Sequence, residues 1–584
     1  MTLRRNVALL VFAATCAAQT RPAVPTHVPP KRSSQVKNGF GINSDLPREP
    51  YLPWNRWWWT RMFDIGVNWI RIGQYENSSE PTSWDWVEQR RGVYSIAPEV
   101  DDYVDSLIEN HVTIQVQLLY GNPMYTGPAG RKPDQITPEP GSFHNDDRSI
   151  SSIFWAPKTP EEIAAFIKYV KWMVNHFKGK IKHWALWNEQ DIGYWNEANP
   201  EHYGRVLAAF APAVHEADPE AKVIYGGQAD PTADFTKRAL DTCQCASQID
   251  IYAYHTYPGY GKNVHPESMD TGTYGKDSPA KLRELVRNYP GIRKGIEFFD
   301  DEFNSISAWK GTDESTQTKY VPRGVLYNHA AGVRTFVWLL AAGVDGNEGD
   351  DFGFLHGKRD LPDDFAPRPV WGALQTTYAL FSDTKRDPTI GITATGVPNL
   401  SKYGKTAFQR YAFRNTNGKS IVAFWVAAHS VAGGAFPQFT FTLKLKNSGI
   451  RNPVLIDITT GKITPLEWKK GTTDTLAALP LRDAVYAIAD ADYFDWPVLP
   501  EGPSSLTAQS SAAGVTLKFE LHAATTKFAI ERRAGDGRWE RIATQASATA
   551  YTDASAPRGL VRYRVRALND AGESAFSNIV RVER

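Results

Sequence analysis

The stretch Ile181-Lys-His-Trp-Ala-Leu-Trp-Asn-Glu-Gln190 decides how the rest of the chain is read. Its first half is apolar and aromatic, the composition of a strand buried on both faces in a parallel sheet. It then stops on a polar pair, Asn188-Glu189. In a (β/α)8 barrel, side chains at the carboxyl ends of the strands converge on one open face, where reactive groups sit. The alternative is a strand running into a solvated loop, so the flanking sequence has to decide.

Working outward, the preceding segment is a well-signalled helix. Thr159 is a good N-cap, Pro160 suits the first helical position, and Glu162 completes a capping box. Ile163, Phe166, Ile167, Val170, Val174 and Phe177 recur at helical spacing until Gly179 stops the run. Asn199-Pro200-Glu201 opens the next helix, and Ala221 to Gly227 gives a strand. The same alternation extends both ways. Further strands are expected at Asn38 to Asn43, Ile65 to Ile72, Val112 to Leu119, Ile249 to Tyr257, Lys294 to Asn304 and Val333 to Leu340. Helices are expected over Val100 to Asn110, Ser278 to Tyr289 and Pro369 to Phe381. Eight strands with intervening helices predict a TIM barrel over 38–382. Beyond Asp383 the helical period gives way to short strands and turns, which predicts a β-sandwich over 383–496. Pro497 to Pro503 reads as a linker that opens the last domain, 497–584, also all-β.

A chain of 584 residues needs several cores. Its 42% hydrophobic and 22% charged residues are ordinary for a globular protein, and a formal charge of +1 gives no reason to expect nucleic acid as a partner. The 19 Trp, 25 Tyr and 27 Phe are a heavy aromatic load, useful in cores and for stacking on sugar faces. Arg4 and Arg5 before the apolar run Val7 to Ala14 read as a signal peptide over 1–18, so the chain is expected to be secreted, periplasmic or extracellular, without a membrane anchor. Residues 19–37 read as a mobile linker. Cys16 suits a lipid-attachment site poorly. Cys243 and Cys245, one residue apart, are not by themselves a zinc site, and a bridge that tight would be strained.

The chemistry follows from two acids at one rim, Glu189 on the fourth strand and Glu302 on the seventh. Two facing carboxyl groups, one a proton donor and the other ionised, are what cleavage of a glycosidic bond requires. Arg71, a charge inside the second strand, must point at a carboxylate, because an unpaired buried charge is costly. Arg71 and Tyr257 suit holding Glu302 ionised. His255 shares a strand face with Tyr257. Asn188 suits a sugar 2-hydroxyl, and Trp338 suits the floor of the subsite. Glu297 is a rival to Glu302 but lies inside the strand; Asp300 and Asp301 read as supporting or structural. The acidic run Asp345 to Asp351 lacks the spacing of an EF-hand loop and reads as a solvated loop rather than a calcium site. The Trp cluster 54, 57, 58 and 59 suits either packing or a sugar subsite.

These residues resemble the clan-A glycoside hydrolases. Trp187-Asn188-Glu189 is similar to that clan's acid/base motif, and Asp301-Glu302-Phe303-Asn304 to its nucleophile motif. Arg71, His255-Thr-Tyr257 and Trp338 resemble further clan positions, and the appended sandwich with Glu-Phe-Asn-Ser looks most like family 39. Where many members carry a His near the end of strand three, this chain has Tyr120 and Asn122. The resemblance implies a retaining glycosidase working by double displacement, with Glu189 as acid/base, Glu302 as nucleophile, and no metal or organic cofactor. It implies an oligo- or polysaccharide substrate, with xyloside, glucoside, uronide and endo-acting cleavage all open. The rivals are a transglycosylase using the same site, and a non-catalytic carbohydrate-binding protein on a degenerate barrel. Gly514 to Glu520, Phe528 to Arg533 and Tyr563 to Ala567 resemble a fibronectin type III module, with Tyr563 at its tyrosine corner and Phe519 where such modules usually carry Trp. Such a module reads as a spacer or packing partner, or as a contact to a cell surface or polysaccharide.

Overall fold

The computed structural model describes residues 24–43, 60–75, 78–79, 81–127, 134–135, 155–192, 195, 198–258, 264–271, 277–305, 312–338, 352–356, 366–404, 407–430, 435–546 and 548–584. The expected signal peptide, the Trp cluster 54–59 and the acidic run 345–351 lie outside them. Among the described residues no helix is long and apolar enough to cross a membrane.

Eight parallel strands close into a barrel in sequence order: β1 Gly41–Asn43, β2 Trp69–Ile72, β3 Thr113–Leu118, β4 His183–Leu186, β5 Lys222–Gln228, β6 Ile251–Thr256, β7 Glu297–Phe303 and β8 Val333–Val337. Around them run α1 Pro98–Glu109, α2 Pro160–His176, α3 Pro200–Ala217, α4 Ala233–Cys243, α5 Pro279–Asn288, α6 Glu314–Ala330 and α7 Pro369–Phe381. The capping box forms: the Thr159 side chain accepts from the Glu162 amide, and the Glu162 carboxylate accepts from the Thr159 amide. At the end of α4, Cys243 and Cys245 are joined as a disulfide.

The barrel interior is layered. Trp69, Ala185, Ile224, Ile251, Ala253, Phe299 and Phe336 form an apolar plug. Gly41 makes room for it, because a Cβ there would sit 2.4 Å from the Phe336 ring. Above the plug, the same strands turn polar.

Two irregularities break the in–out alternation just where this happens. Just beyond β4, Trp187 has φ 63° and Glu189 φ 47°, left-handed conformations uncommon for such residues and costly without support. The support is visible: the Trp187 amide donates to the Leu118 carbonyl and the Glu189 amide to Gly227. Trp187 thereby turns out of the barrel against Tyr120 and Trp195, while Asn188 and Glu189 turn in. In β7 a bulge inserts one residue, so that Tyr254 opposes Asp300 but His255 opposes Glu302. Asp301 and Glu302 consequently both face the interior, as a bulge permits and a regular strand does not. Phe303 then points out against α6, where Gly324 is required; a Cβ there would lie 2.0 Å from its ring.

The next domain is a sandwich. Strands β9 Thr384–Arg386, β10 Gly391–Thr395, β11 Phe408–Asn415, β12 Ser420–Val426, β13 Phe439–Lys446, β14 Pro453–Asp457, β15 Ile463–Pro465, β16 Thr475–Leu481 and β17 Tyr486–Asp490 form a six-stranded sheet (β9-β11-β12-β17-β14-β15) over a three-stranded one (β10-β13-β16). Strand β12 is buried throughout because it serves two cores. Ile421, Ala423 and Trp425 join the barrel's helices, and Val422, Phe424 and Val426 fill the sandwich. At that junction Arg323 of α6, fully buried, pairs with Glu267 (Nη2 to Oε2, 2.6 Å) and donates to the Ala428 carbonyl, while Trp425 Nε1 donates to Glu267.

The expected mobile linker at 19–37 is corrected over its described part. Residues 24–37 are strapped down because they offer their backbone and Arg32 to three partners at once. The amide of Val28 and the carbonyl of Thr26 bond to the sandwich at Gly461 and Ile463. Arg32, 4% exposed, donates to the carbonyls of Asp64 in the barrel and Leu499 beyond the sandwich, and Gln35 donates to the Pro497 carbonyl. Pro497 to Pro503, expected as a linker, is likewise packed around buried Leu499 and Gly502.

The last domain is a second sandwich with its own core. Strands β18 Ser504–Ser511, β19 Gly514–Glu520, β20 Lys527–Ala534, β21 Glu540–Ala546, β22 Ala550–Asp553, β23 Leu560–Asn569, β24 Gly572–Phe576 and β25 Val580–Glu583 make sheets β18-β19-β22 and β21-β20-β23-β24, with β25 also on β23. The Tyr563 hydroxyl donates to Asp553 at 2.8 Å. One face is committed to the barrel. Asp102 of α1, 5% exposed, receives Arg533, Arg562 and Arg581 at 3.1, 2.9 and 2.6 Å, and Arg581 also reaches Glu99. Because the carboxylate is buried among three guanidinium groups, Asp102→Ala should cost about 3 kcal/mol of stability. Chemical denaturation of the variant against the parent measures this.

Candidate active site

The polar layer gathers the expected residues at the carboxyl ends of the strands. Arg71 of β2 stands at its centre, 2% exposed. Its Nη1 donates to Glu302 Oε1 at 2.6 Å and to Asn43 Oδ1 at 2.8 Å, Nη2 donates to Asn188 Oδ1 at 2.7 Å, and Nε lies 3.3 Å from Asp301 Oδ2. Burial works against its charge, but Asp301 and Glu302 outweigh it and raise the guanidinium above its ordinary value. The Tyr257 hydroxyl donates to the other Glu302 oxygen at 2.6 Å, so both oxygens are held by donors.

Glu189 stands across the cleft and is the more open of the two, its side chain 15% exposed against 5% for Glu302. One oxygen of each, with a ring nitrogen of His255, lies within 4.8 Å of the others. His255 Nδ1 is 2.9 Å from Glu189 Oε1 and 3.4 Å from Glu302 Oε2, and its Nε2 is 3.4 Å from Asp301 Oδ1. Burial raises the Glu189 carboxyl, Glu302 adds to the rise, and the His255 hydrogen bond only partly offsets it. Burial alone would strip the proton from His255; Glu302, Asp301 and Glu189 reverse this and lift the imidazole to about 10. The Glu189 and Glu302 carboxyl groups therefore sit in unlike surroundings.

Asn188 is fully buried, with its Oδ1 shared between Arg71 and Gln117 Nε2; its Nδ2 has no hydrogen-bond partner among the described residues. Trp338, 9% exposed, follows β8, its amide bonded to the Phe303 carbonyl. Trp187 is fully buried outside the barrel, against Tyr120 and Trp195. Tyr120 and Asn122 are buried too, Asn122 donating to the Glu88 carbonyl. Glu297, the rival to Glu302, is exposed at the start of β7, where it lines a cavity with Phe40, His329 and Arg334 at the opposite end of the barrel.

Several residues hold places that the sequence did not show. Asp301 is the second hub: besides Arg71 and His255 it accepts from Gln115 Nε2 at 2.7 Å, and although burial pulls its carboxyl up, these partners hold it below its ordinary value. Asn304 donates from one amide nitrogen to the carbonyls of Trp338 and Phe352, and the Phe352 ring meets Tyr257 edge-on at 5.6 Å. Gly227 is needed because a Cβ there would lie 2.1 Å from His255 Nε2. Asp300 faces α6 instead, accepting from Thr256 and Asn328; burial pushes its carboxyl up to about 8.

Comparison with known proteins bears on the fold. No protein-family model matches the chain, and no curated protein matches it. Among solved structures, a family 39 glycoside hydrolase from the gut symbiont Bacteroides cellulosilyticus WH2 is similar, with a TM-score of 0.54 at 17% identity over 79% of this chain and 83% of that one. A monomeric beta-xylosidase from Caulobacter crescentus CB15 has a TM-score of 0.47 at 12% identity (80% and 97% covered). A family 51 alpha-L-arabinofuranosidase from Bifidobacterium longum has 0.47 at 11% (80% and 98%). The likeness is one of fold: a parallel eight-stranded barrel with β-sandwich structure after it.

Two expectations follow. His255 is held charged in the folded state well above the ordinary imidazole pKa of about 6.5. The stability it contributes is therefore complete below about pH 6.5 and lost as pH rises towards about 10. Denaturation of the parent should show that alkaline loss, and His255→Asn should lack it. Gly227→Ala should cost about 1–3 kcal/mol through overpacking against His255, read as a lower denaturation midpoint.

Proposed function

We propose that this chain is a retaining glycoside hydrolase acting on an oligo- or polysaccharide. The observation that carries the reading is the pair Glu189 and Glu302: oxygens within 4.8 Å across a cleft, one carboxyl raised and open, the other held by Arg71 and Tyr257. Retaining chemistry needs its carboxyl groups about 5–5.5 Å apart, whereas inversion needs about 6.5–9.5 Å to seat a water. The close approach favours retention, and the fold shared with a family 39 glycoside hydrolase is in keeping with it.

Glu302 attacks the anomeric carbon as Glu189 gives its proton to the leaving oxygen. Glu189, now ionised, takes a proton from water, and that water releases the sugar from Glu302. Arg71 and Tyr257 hydrogen-bond both oxygens of the nucleophile and keep it aimed. The Asn188 Nδ2 group supplies a donor for a sugar hydroxyl, and Trp338 an apolar floor. In this reading the chain is exported and the last domain braces the barrel.

Hydrolysis of a panel of aryl-glycosides and polysaccharides, with the anomer of the first product followed by NMR, tests the proposal; an inverted product overturns the role of Glu302. Glu302→Ala should abolish turnover without unfolding the chain. Glu189→Gln should lose about 10²–10⁴ in kcat on substrates with poor leaving groups. Because Glu189 must be protonated to act and its pKa is raised, parent activity should fall as pH rises through that pKa. The alkaline limb should be missing in Glu189→Gln.

A further inference from the structure

We propose that the cleft is also a binding site for a single borderline-soft divalent cation, with zinc as the probe, and that such an ion blocks the site rather than serving it. Binding itself stands on geometry alone, while its inhibitory consequence rests on the roles proposed above for Glu189 and Glu302.

Three ligand atoms of the right kinds converge. In a tetrahedral zinc site, bonds of about 2.0–2.2 Å to nitrogen and oxygen place neighbouring ligand atoms roughly 3.2–3.6 Å apart. His255 Nδ1 lies 2.9 Å from Glu189 Oε1 and 3.4 Å from Glu302 Oε2, and all three atoms fall within 4.8 Å of one another. Small side-chain adjustments of Glu189, the most exposed of the three, bring the set to zinc geometry.

The surroundings match what such a site needs. A histidine that binds a metal almost always turns its other ring nitrogen to a carboxylate or carbonyl, which fixes the ring and strengthens the ligand. Here His255 Nε2 faces Asp301 Oδ1 at 3.4 Å, and Asp301 is itself anchored by Gln115 Nε2 at 2.7 Å. Tyr257 holds the Glu302 oxygen in place. Water would supply the fourth ligand. The ion takes the place of the His255 Nδ1 proton, which leaves to solvent. Arg71, bonded to Glu302, opposes the added charge and limits affinity. The imidazole nitrogen and the small ligand number select against magnesium and calcium, which prefer more oxygen ligands. An ion so placed occupies both the oxygen that donates the proton and one oxygen of the nucleophile, so it excludes substrate.

Calorimetric titration of the full chain with zinc chloride tests this, with magnesium chloride as the comparison. One equivalent should bind, and His255→Asn should weaken it by at least about tenfold. Glu189→Gln, the change at the most exposed ligand, should do the same if His255→Asn fails to fold. His215→Asn, at a half-exposed histidine beside Asp250, should leave binding unchanged. Equal affinity in the parent and both ligand variants, or magnesium binding as tightly as zinc, overturns the site. With an aryl-glycoside that the parent cleaves, zinc should inhibit competitively and EDTA should reverse it; full activity at saturating zinc overturns the inhibitory role alone. Zinc bound as described in a chain that cleaves no glycoside leaves the metal site standing and sinks the glycosidase reading instead.

Discussion

A guanidinium buried in the centre of a barrel has to be neutralised and hydrogen-bonded on every side, and the upper half of this barrel is arranged to do so. Arg71 draws Asn43 from β1, Asn188 from beyond β4 and the Asp301–Glu302 pair from β7 into one network. Removing the charge would leave two carboxylates facing each other in a low-dielectric interior; removing them would leave the charge stranded. The backbone irregularities make sense in that light. The bulge in β7 delivers two consecutive acids inward, and the left-handed turns around Asn188 deliver two consecutive polar side chains from beyond β4. Local strain is spent where it converts an apolar strand into a polar rim.

Beneath that rim the stability is apolar and shared. The plug of Trp69, Phe299 and Phe336 fills the barrel floor, and β12 contributes alternate side chains to the barrel's helices and to the sandwich core. Where the domains meet, charge supplies the specificity that burial cannot. Arg323 with Glu267 fixes the first sandwich, and Asp102 with three arginines fixes the second. A rigid platform of this kind suits a site whose groups must hold sub-ångström positions.

The eight strands, five of the seven helices placed here (α1, α2, α3, α5 and α7) and the pair of acids were legible in the sequence, because apolar runs and capping residues are local signals; α4 and α6 were not singled out. Arg71 was legible for a different reason: a lone charge in a buried run demands a partner. What escaped is non-local. Nothing in Glu297-Phe-Phe-Asp-Asp-Glu-Phe303 says which acid faces inward, since a bulge is a property of two strands' register and not of one strand's composition. Asp301 was accordingly read as support and proves to be a hub. Trp187 read as one motif with Asn188 and Glu189; its positive φ sends it the other way. The 24–37 strap read as a linker because Pro, Lys and Ser are common in linkers, and its partners at 461–463 and 497–499 lie hundreds of residues away.

That strap has a consequence for how the molecule is made. Arg32 bonds to Leu499, and their separation of 467 residues is among the longest closures in the fold. Contacts so distant in sequence form late, because chain entropy must be surrendered before they return anything. The barrel's first elements can be shaped early during synthesis, but they cannot be fastened until nearly the whole polypeptide has emerged. The contact between Arg32 and Leu499 thus belongs to the later steps of folding rather than the first.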